Sequence, residues 1–378
     1  MKNLIQTTSL MTLGAAALLL ATQAMQAQTV FTDPIGINKI TCLTNSDTIV
    51  GVPFRPQGSM NTLLTSNPVT AGSGSTATAT LTLSLNNLAT NSLGMYYVKF
   101  DGGTRDGRWY EITANGADTL TLKLNGDNLD GVVSGNKVVI AKFWTLDTLF
   151  PPAQATTSWT LNTQTGIQVP NGHAIVNSAT ASGTQRQTQL FLPNTSGTGV
   201  SRLPEISFYI TGGSWRIPSV SGSKGNQILY PDTYIIIRHS ARVTHPTVFR
   251  SFGEVEMKNF SIPLATNISG SRDTYVAIPR AIDVRLDQLN LVESGAFVAS
   301  ATVSGTQRRD QLYIYDNSTS QISKLPGQSY FFTNGNWRTG GNSNPQNHVI
   351  IPAGSGLVIR KYQTTNGVTS FWQNTPSY

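Results

Sequence analysis

The chain has 378 residues, a formal net charge of +7, 12% charged residues and a single cysteine. That length can bury ordinary cores without covalent staples, and one cysteine excludes an internal disulfide. The basic residues are scattered singly and not gathered into the stripe that nucleic-acid binders carry, so nucleic acid is not an expected partner. With 39% apolar residues and 34 glycines, the composition fits a folded β protein with polar, uncharged faces better than a disordered chain.

In chain order, Lys2, an apolar run over residues 10–21 and the small residues Ala24 and Ala27 read as a signal peptide over 1–27. A dozen apolar residues are too few to cross a hydrocarbon core of about 30 Å as a helix. No second such run follows, so the chain is expected to be exported to the periplasm, the cell surface or the medium, with no stable membrane span. Cys42, within Ile40-Thr41-Cys42-Leu43, reads as a small buried hydrophobe. Further on, Thr119-Leu120-Thr121-Leu122-Lys123-Leu124 alternates with period two, as does 80–85, and Tyr96-Tyr97-Val98-Lys99-Phe100 is rich in strand formers. Asp106-Gly107, Asn115-Gly116 and Asn125-Gly126 separate these runs as turn pairs. Helix has room only at 145–150, stopped by Pro151, and at 283–291.

The chain repeats itself. Ser182-Gly183-Thr184-Gln185-Arg186 returns as Ser304-Gly305-Thr306-Gln307-Arg308, Trp215-Arg216 as Trp337-Arg338, and Ile237-Arg238 as Ile359-Arg360, all at an offset of 122. Asp47-Thr48, Val50 and Pro53 return as Asp273-Thr274, Val276 and Pro279 at an offset of 226. The difference implies about 104 residues inserted in the first copy. The expected architecture is all-β: a first lobe of sandwich or open-barrel type (28–54 with 158–253), an inserted β domain (55–157), and a second lobe (254–378) repeating the first.

Thr32-Asp33-Pro34-Ile35-Gly36, Asn45-Ser46-Asp47-Thr48, Val52-Pro53-Phe54, Gly107-Arg108-Trp109-Tyr110 and Trp144-Thr145-Leu146-Asp147-Thr148-Leu149-Phe150-Pro151 together resemble a paralogous family of exported β-rich proteins from Verrucomicrobium-type bacteria. The resemblance covers the mature chain and implies bacterial export. It carries over no catalytic or binding residue.

Enzyme signatures are absent: there is no G-x-S-x-G, H-E-x-x-H, Walker loop or paired C-x-x-C. No cofactor is implied. His173, His239, His245 and His348 lie in dissimilar contexts and do not suggest a metal. Asn125, Asp127 and Asp130 offer oxygens in a Gly-rich turn, a weak calcium candidate lacking the ligand series of an EF-hand. The repeated arginines Arg186 and Arg308, Arg216 and Arg338, and Arg238 and Arg360 either brace each lobe internally or belong to a ligand platform made of Trp215, Arg216, Asn336, Trp337 and Arg338, since indole faces stack on sugars. The leading expectation is an exported, non-catalytic structural or interaction protein meeting surface polysaccharide or other surface proteins. A carbohydrate-binding module on Trp215 and Trp337 is the alternative, and a polysaccharide-degrading enzyme a third reading.

Overall fold

A computed structural model describes residues 34–204, 206–342 and 344–376; the expected signal peptide lies outside them. The described chain is all-β, built from antiparallel sheets and one short parallel pair, with no closed barrel. The two expected helical turns are present. Leu146–Leu149 is an α-helix capped by Thr145, whose hydroxyl accepts from the Thr148 amide, and Leu286–Gln288 is a 3₁₀ turn.

The first lobe holds a five-stranded sheet ordered Ser214–Arg216, Ile206–Thr211, Thr188–Leu192, Ile235–His239, Ser46–Val50. The second lobe holds Asn336–Thr339, Gln328–Thr333, Gln311–Ile314, Gly356–Lys361, Arg272–Ala277 in the same order. Their registers match: Ile210 pairs with Trp215 and Phe332 with Trp337, while Asp47 pairs with Arg238 and Asp273 with Arg360. In each lobe a smaller sheet faces the larger one. Ile35–Cys42 pairs with Thr247–Val255 in the first, and Phe260–Ala265 with Thr369–Asn374 in the second. Cys42 and Phe249 meet Leu190, Phe208 and Ile237 in the first core, and Ile262 and Trp372 meet Leu312, Leu357 and Ile359 in the second. Cys42 is fully buried, and burial pushes its thiol up to about 11, so it behaves as the expected hydrophobe.

Within the first lobe's sequence stands a seven-stranded sheet whose strands run from Met60–Leu63 to Lys137–Lys142. It curls until Leu64 and Leu83 meet in a single bridge, enclosing Leu81, Phe100, Ile112 and Leu122. Residues beyond Phe143 belong elsewhere: Trp144–Thr145 pairs with Ile228–Leu229, and Leu146, Leu149 and Phe150 lie in the first lobe's core. The same small ladder joins Val284–Arg285 to Ile350–Ile351 in the second lobe. The offset thus falls from 226 at Pro53 to 140 at Trp144 and 122 at Ile228, so the extra length comes in two pieces, of 86 and 18 residues. The boundary expected at 157 moves back to about 143, and the smaller piece contains the hairpin of Trp159–Asn162 with Ile167–Pro170.

A buried ion cluster fastens the seven-stranded sheet. Arg55 reaches Glu254 at 2.8 Å and Glu256 at 3.3 Å, and Lys99 reaches Glu256 at 2.7 Å. Burial tends to raise the Glu254 carboxyl, but hydrogen bonds from Arg55, Ser59 and the Gly58 amide outweigh it and hold it below the ordinary range.

The lobes solve one buried position in two ways. In the first, His239 sits between the Thr188 hydroxyl (2.9 Å from Nδ1) and the Thr247 hydroxyl (2.7 Å from Nε2). In the second, Lys361 and Asp310 occupy the equivalent sites as a buried ion pair. Burial lowers the His239 imidazole from 6.5 to about 4. The unfolded chain therefore takes up the proton first, and stability present above pH 6.5 is lost as the pH falls toward 4. The expected loss is roughly 3 kcal/mol at 1.36 kcal/mol per pKa unit. Urea unfolding at a series of pH values should show this slope in the wild type and a flatter one in His239→Gln; equal slopes would contradict it.

Candidate functional site

The repeated tryptophans do not form a platform. Trp215 is 0% and Trp337 3% exposed, and the Trp215 indole donates to the Phe150 carbonyl at 3.1 Å. Period two explains why: on its short strand each tryptophan points into a lobe core while the following Arg216 or Arg338 points the other way. Asn336 braces a turn, accepting from Asn347 Nδ2 at 3.0 Å while its own amide donates to the Asn334 carbonyl. The other repeated arginines are braces too. Arg186 lies over Tyr209 and Arg308 over Phe331, both at 4.5 Å.

The calcium candidate is likewise occupied by protein. Asp127 accepts from Arg108 Nη1 at 2.9 and 3.0 Å and from the Tyr110 hydroxyl at 2.7 Å. Asn125 is a turn residue at φ +52°, and exposed Asp130 accepts at its carbonyl from Thr104. Among the described residues no group of three His, Cys, Asp or Glu is placed to hold a metal ion.

The open concavity lies instead where the seven-stranded sheet meets both lobes. Two adjoining hollows, of about 500 and 830 Å³, share Trp109, Asn125, Asp232, Pro263 and Thr369. The sheet contributes Trp109 and Glu111 from the strand Trp109–Asn115, set in place by the preceding turn. Gly107 has φ +76°, and a Cβ there would lie 2.9 Å from the backbone of Asn259 and Ser261, so only glycine lets the turn reach the second lobe. There the Ser261 amide donates to the Gly107 carbonyl at 2.9 Å. Arg108 adds its guanidinium over Phe371, 3.4 Å from the ring centre.

The first lobe contributes Tyr230 and Asp232 from the loop before Ile235–His239. Tyr230, 40% exposed, stacks on Trp109 with centroids 5.7 Å apart and planes at 27°. Asp232 is more enclosed. One oxygen accepts from the Trp109 indole at 3.2 Å and the other from the Thr233 hydroxyl at 3.2 Å. Burial raises its carboxyl above the ordinary range, and these two donors offset that only in part. Burial together with the negative charges of Glu111 and Asp232 raises the Tyr230 hydroxyl as well. The hollow thus has an aromatic wall, the carboxyl groups of Glu111 and Asp232, a third, Asp273, already paired with Arg360, and, toward the second lobe, Arg202 and Arg272.

Two carboxyl groups beside a cleft invite comparison with a glycosidase, which sets an acid and a second carboxylate across a scissile bond. Asp232 differs in that both of its oxygens are already engaged in orienting Trp109 and Thr233, as a positioning group is. Sequence reasoning missed it because Tyr230-Pro231-Asp232-Thr233 reads as a turn. Trp109 stood in the Gly107-Arg108-Trp109-Tyr110 motif, where its half-buried setting was not legible.

Because the folded Asp232 carboxyl holds its proton more tightly than an unfolded one, its contribution to stability is present in acid and lost as the pH rises past 3.8. Asp232→Asn should therefore raise the thermal midpoint at neutral pH, and the gain should fade below pH 3.8; a lowered midpoint throughout would contradict this assignment. No protein-family model, curated protein or solved structure matches the chain.

Proposed function

We propose that the protein is an exported, non-catalytic interaction protein of the bacterial envelope or its surroundings, and that it binds its ligand in the cleft between the seven-stranded sheet and the two lobes. The observation that carries this is the hollow of about 830 Å³ walled by Trp109 and Tyr230, a volume within the range of ligand sites. The engagement of both Asp232 oxygens favours binding over turnover. No helix among the described residues is long and apolar enough to cross a membrane, and the polar faces suit a released protein. The matched registers support reading the lobes as copies of one unit, with the seven-stranded sheet as the piece that makes one side of the pair different from the other. A carbohydrate ligand is the second reading, favoured by the stacked Trp109–Tyr230 pair and moved there from Trp215 and Trp337.

Titration of the mature chain with peptide and oligosaccharide panels, followed by tryptophan fluorescence, should give a saturable change. Trp109→Ala should weaken that binding by at least about tenfold, equivalent to ~1.4 kcal/mol. Released reducing sugar, or saturable binding indifferent to Trp109→Ala, would contradict the proposal.

A further inference from the structure

The two lobes meet through the outer edges of Ser46–Val50 and Arg272–Ala277, and the contacts are reciprocal. The Asp47 amide donates to Gln321 O at 2.8 Å and the Asp273 amide to Gly199 O at 2.9 Å. The Gly51 amide donates to Gly354 O at 2.7 Å and the Ala277 amide to Asp232 O at 2.9 Å. Since alternate residues of a strand face the same edge, the residue between each pair, Ile49 or Tyr275, also turns its N–H and C=O outward.

At Ile49 the edge is sealed by one side chain. Asn317 Oδ1 accepts from the Ile49 amide at 3.0 Å, and Asn317 Nδ2 donates to the Ile49 carbonyl at 2.8 Å. The same register position in the first lobe, 122 residues earlier, is Thr195. A threonine hydroxyl has neither the length nor the paired donor and acceptor of a carboxamide. Among the described residues no partner meets the outward N–H and C=O of Tyr275, and Thr195, Ser196, Thr274 and Tyr275 line the hollow of about 830 Å³. One half of the seam carries its plug; the other opens into the cleft.

We infer that this notch at Tyr275 is a subsite for a primary carboxamide, the side chain of an asparagine or glutamine on a polypeptide ligand, which takes the place that Asn317 holds at Ile49. The inference rests on the cleft being the binding site. A backbone segment does not fit as well, because Gly199 and Asp232 already bond the amides on either side and leave a gap one residue wide. The N-acetyl group of an amino sugar does not fit either, because its trans amide points N–H and C=O in opposite directions. Thr195 leaves the notch open, Tyr275 supplies the backbone donor and acceptor, and Trp109 and Tyr230 border the remainder of the ligand.

Amide hydrogen exchange of the mature chain, with a Gly-Asn-Gly peptide as probe and Gly-Asp-Gly and N-acetylglucosamine as controls, tests this. In the free protein the Tyr275 amide should exchange much faster than that of Ile49. Gly-Asn-Gly at millimolar concentration should slow it about tenfold or more, and the controls should not. Thr195→Asn should supply the plug from within: Tyr275 becomes as protected as Ile49, the thermal midpoint rises, and the peptide no longer has an effect on exchange. Equal protection of Tyr275 and Ile49 in the free wild type, or no response of Tyr275 to Gly-Asn-Gly, overturns the inference whether or not the variant folds. Trp109 fluorescence keeps the two readings apart. Ligands that quench it equally in wild type and Thr195→Asn leave the cleft standing and remove the carboxamide subsite. Protection of Tyr275 with no ligand detected at Trp109 removes the cleft reading and with it the polypeptide ligand, leaving only a notch that takes a carboxamide.

Discussion

An edge strand presents a row of unpaired backbone groups, and a two-lobed protein must cover two such edges. Here each edge is covered by a loop of the other lobe, and the cover is locked by charge. Asp47 pairs with Arg238 through two bonds of 2.6 and 2.7 Å, and its Oδ2 also accepts from the Ser323 amide of the opposite lobe at 2.8 Å. Asp273 pairs with Arg360 at 2.7 and 2.9 Å and accepts from the Ser201 amide at 2.7 Å. Ser201 and Ser323 are both held at positive φ, +49° and +53°, so the covering loops adopt the same unusual backbone. This is the pattern of an isologous interface, in which each side offers the other the same groups, here within one chain.

The rest of the molecule follows from that seam. Its apolar part joins Ile49 and Tyr234 from one lobe to Tyr275 and Val358 from the other. Close approach there accounts for Gly356, where a Cβ would lie 2.4 Å from Ile49 and 2.8 Å from Tyr234. The seven-stranded sheet then breaks the symmetry. Its Trp109 takes the Asp232 carboxyl as partner, and the second lobe has Gly354 at the corresponding position. One face of a near-symmetric pair so becomes a cleft, while the other is closed by Asn317.

Much of this is legible in the sequence because it depends on local pattern. Period-two runs such as 119–124 become strands, Thr145 before Leu146 becomes a helix cap, and the offset of 122 locates equivalent strands. What the pattern leaves open depends on what spacing cannot show. Trp215 and Trp337 each stand beside an arginine, and only the sheet reveals that the indole faces the core. Asp127 looks like a cation ligand until Arg108 and Tyr110, on a neighbouring strand, are seen to occupy it. One offset difference conceals two insertions, because the strand Trp144–Thr145 is too short to carry a repeat signature. The cleft depends on Asp232, Trp109 and Thr195, which are far apart in sequence and ordinary in local context.

On either side of Ile49 and Tyr275 the two lobes hold one another's edges through reciprocal bonds of equal strength, made by Asp47 and Gly51 on one edge and Asp273 and Ala277 on the other. Native-state hydrogen exchange reads this directly through the four seam amides of Asp47, Gly51, Asp273 and Ala277. All four should share a common opening free energy, matching that of the core strands on either side. Exchange of Asp47 and Gly51 at an opening free energy well apart from that of Asp273 and Ala277 would show that the seam is not reciprocal, and would contradict it.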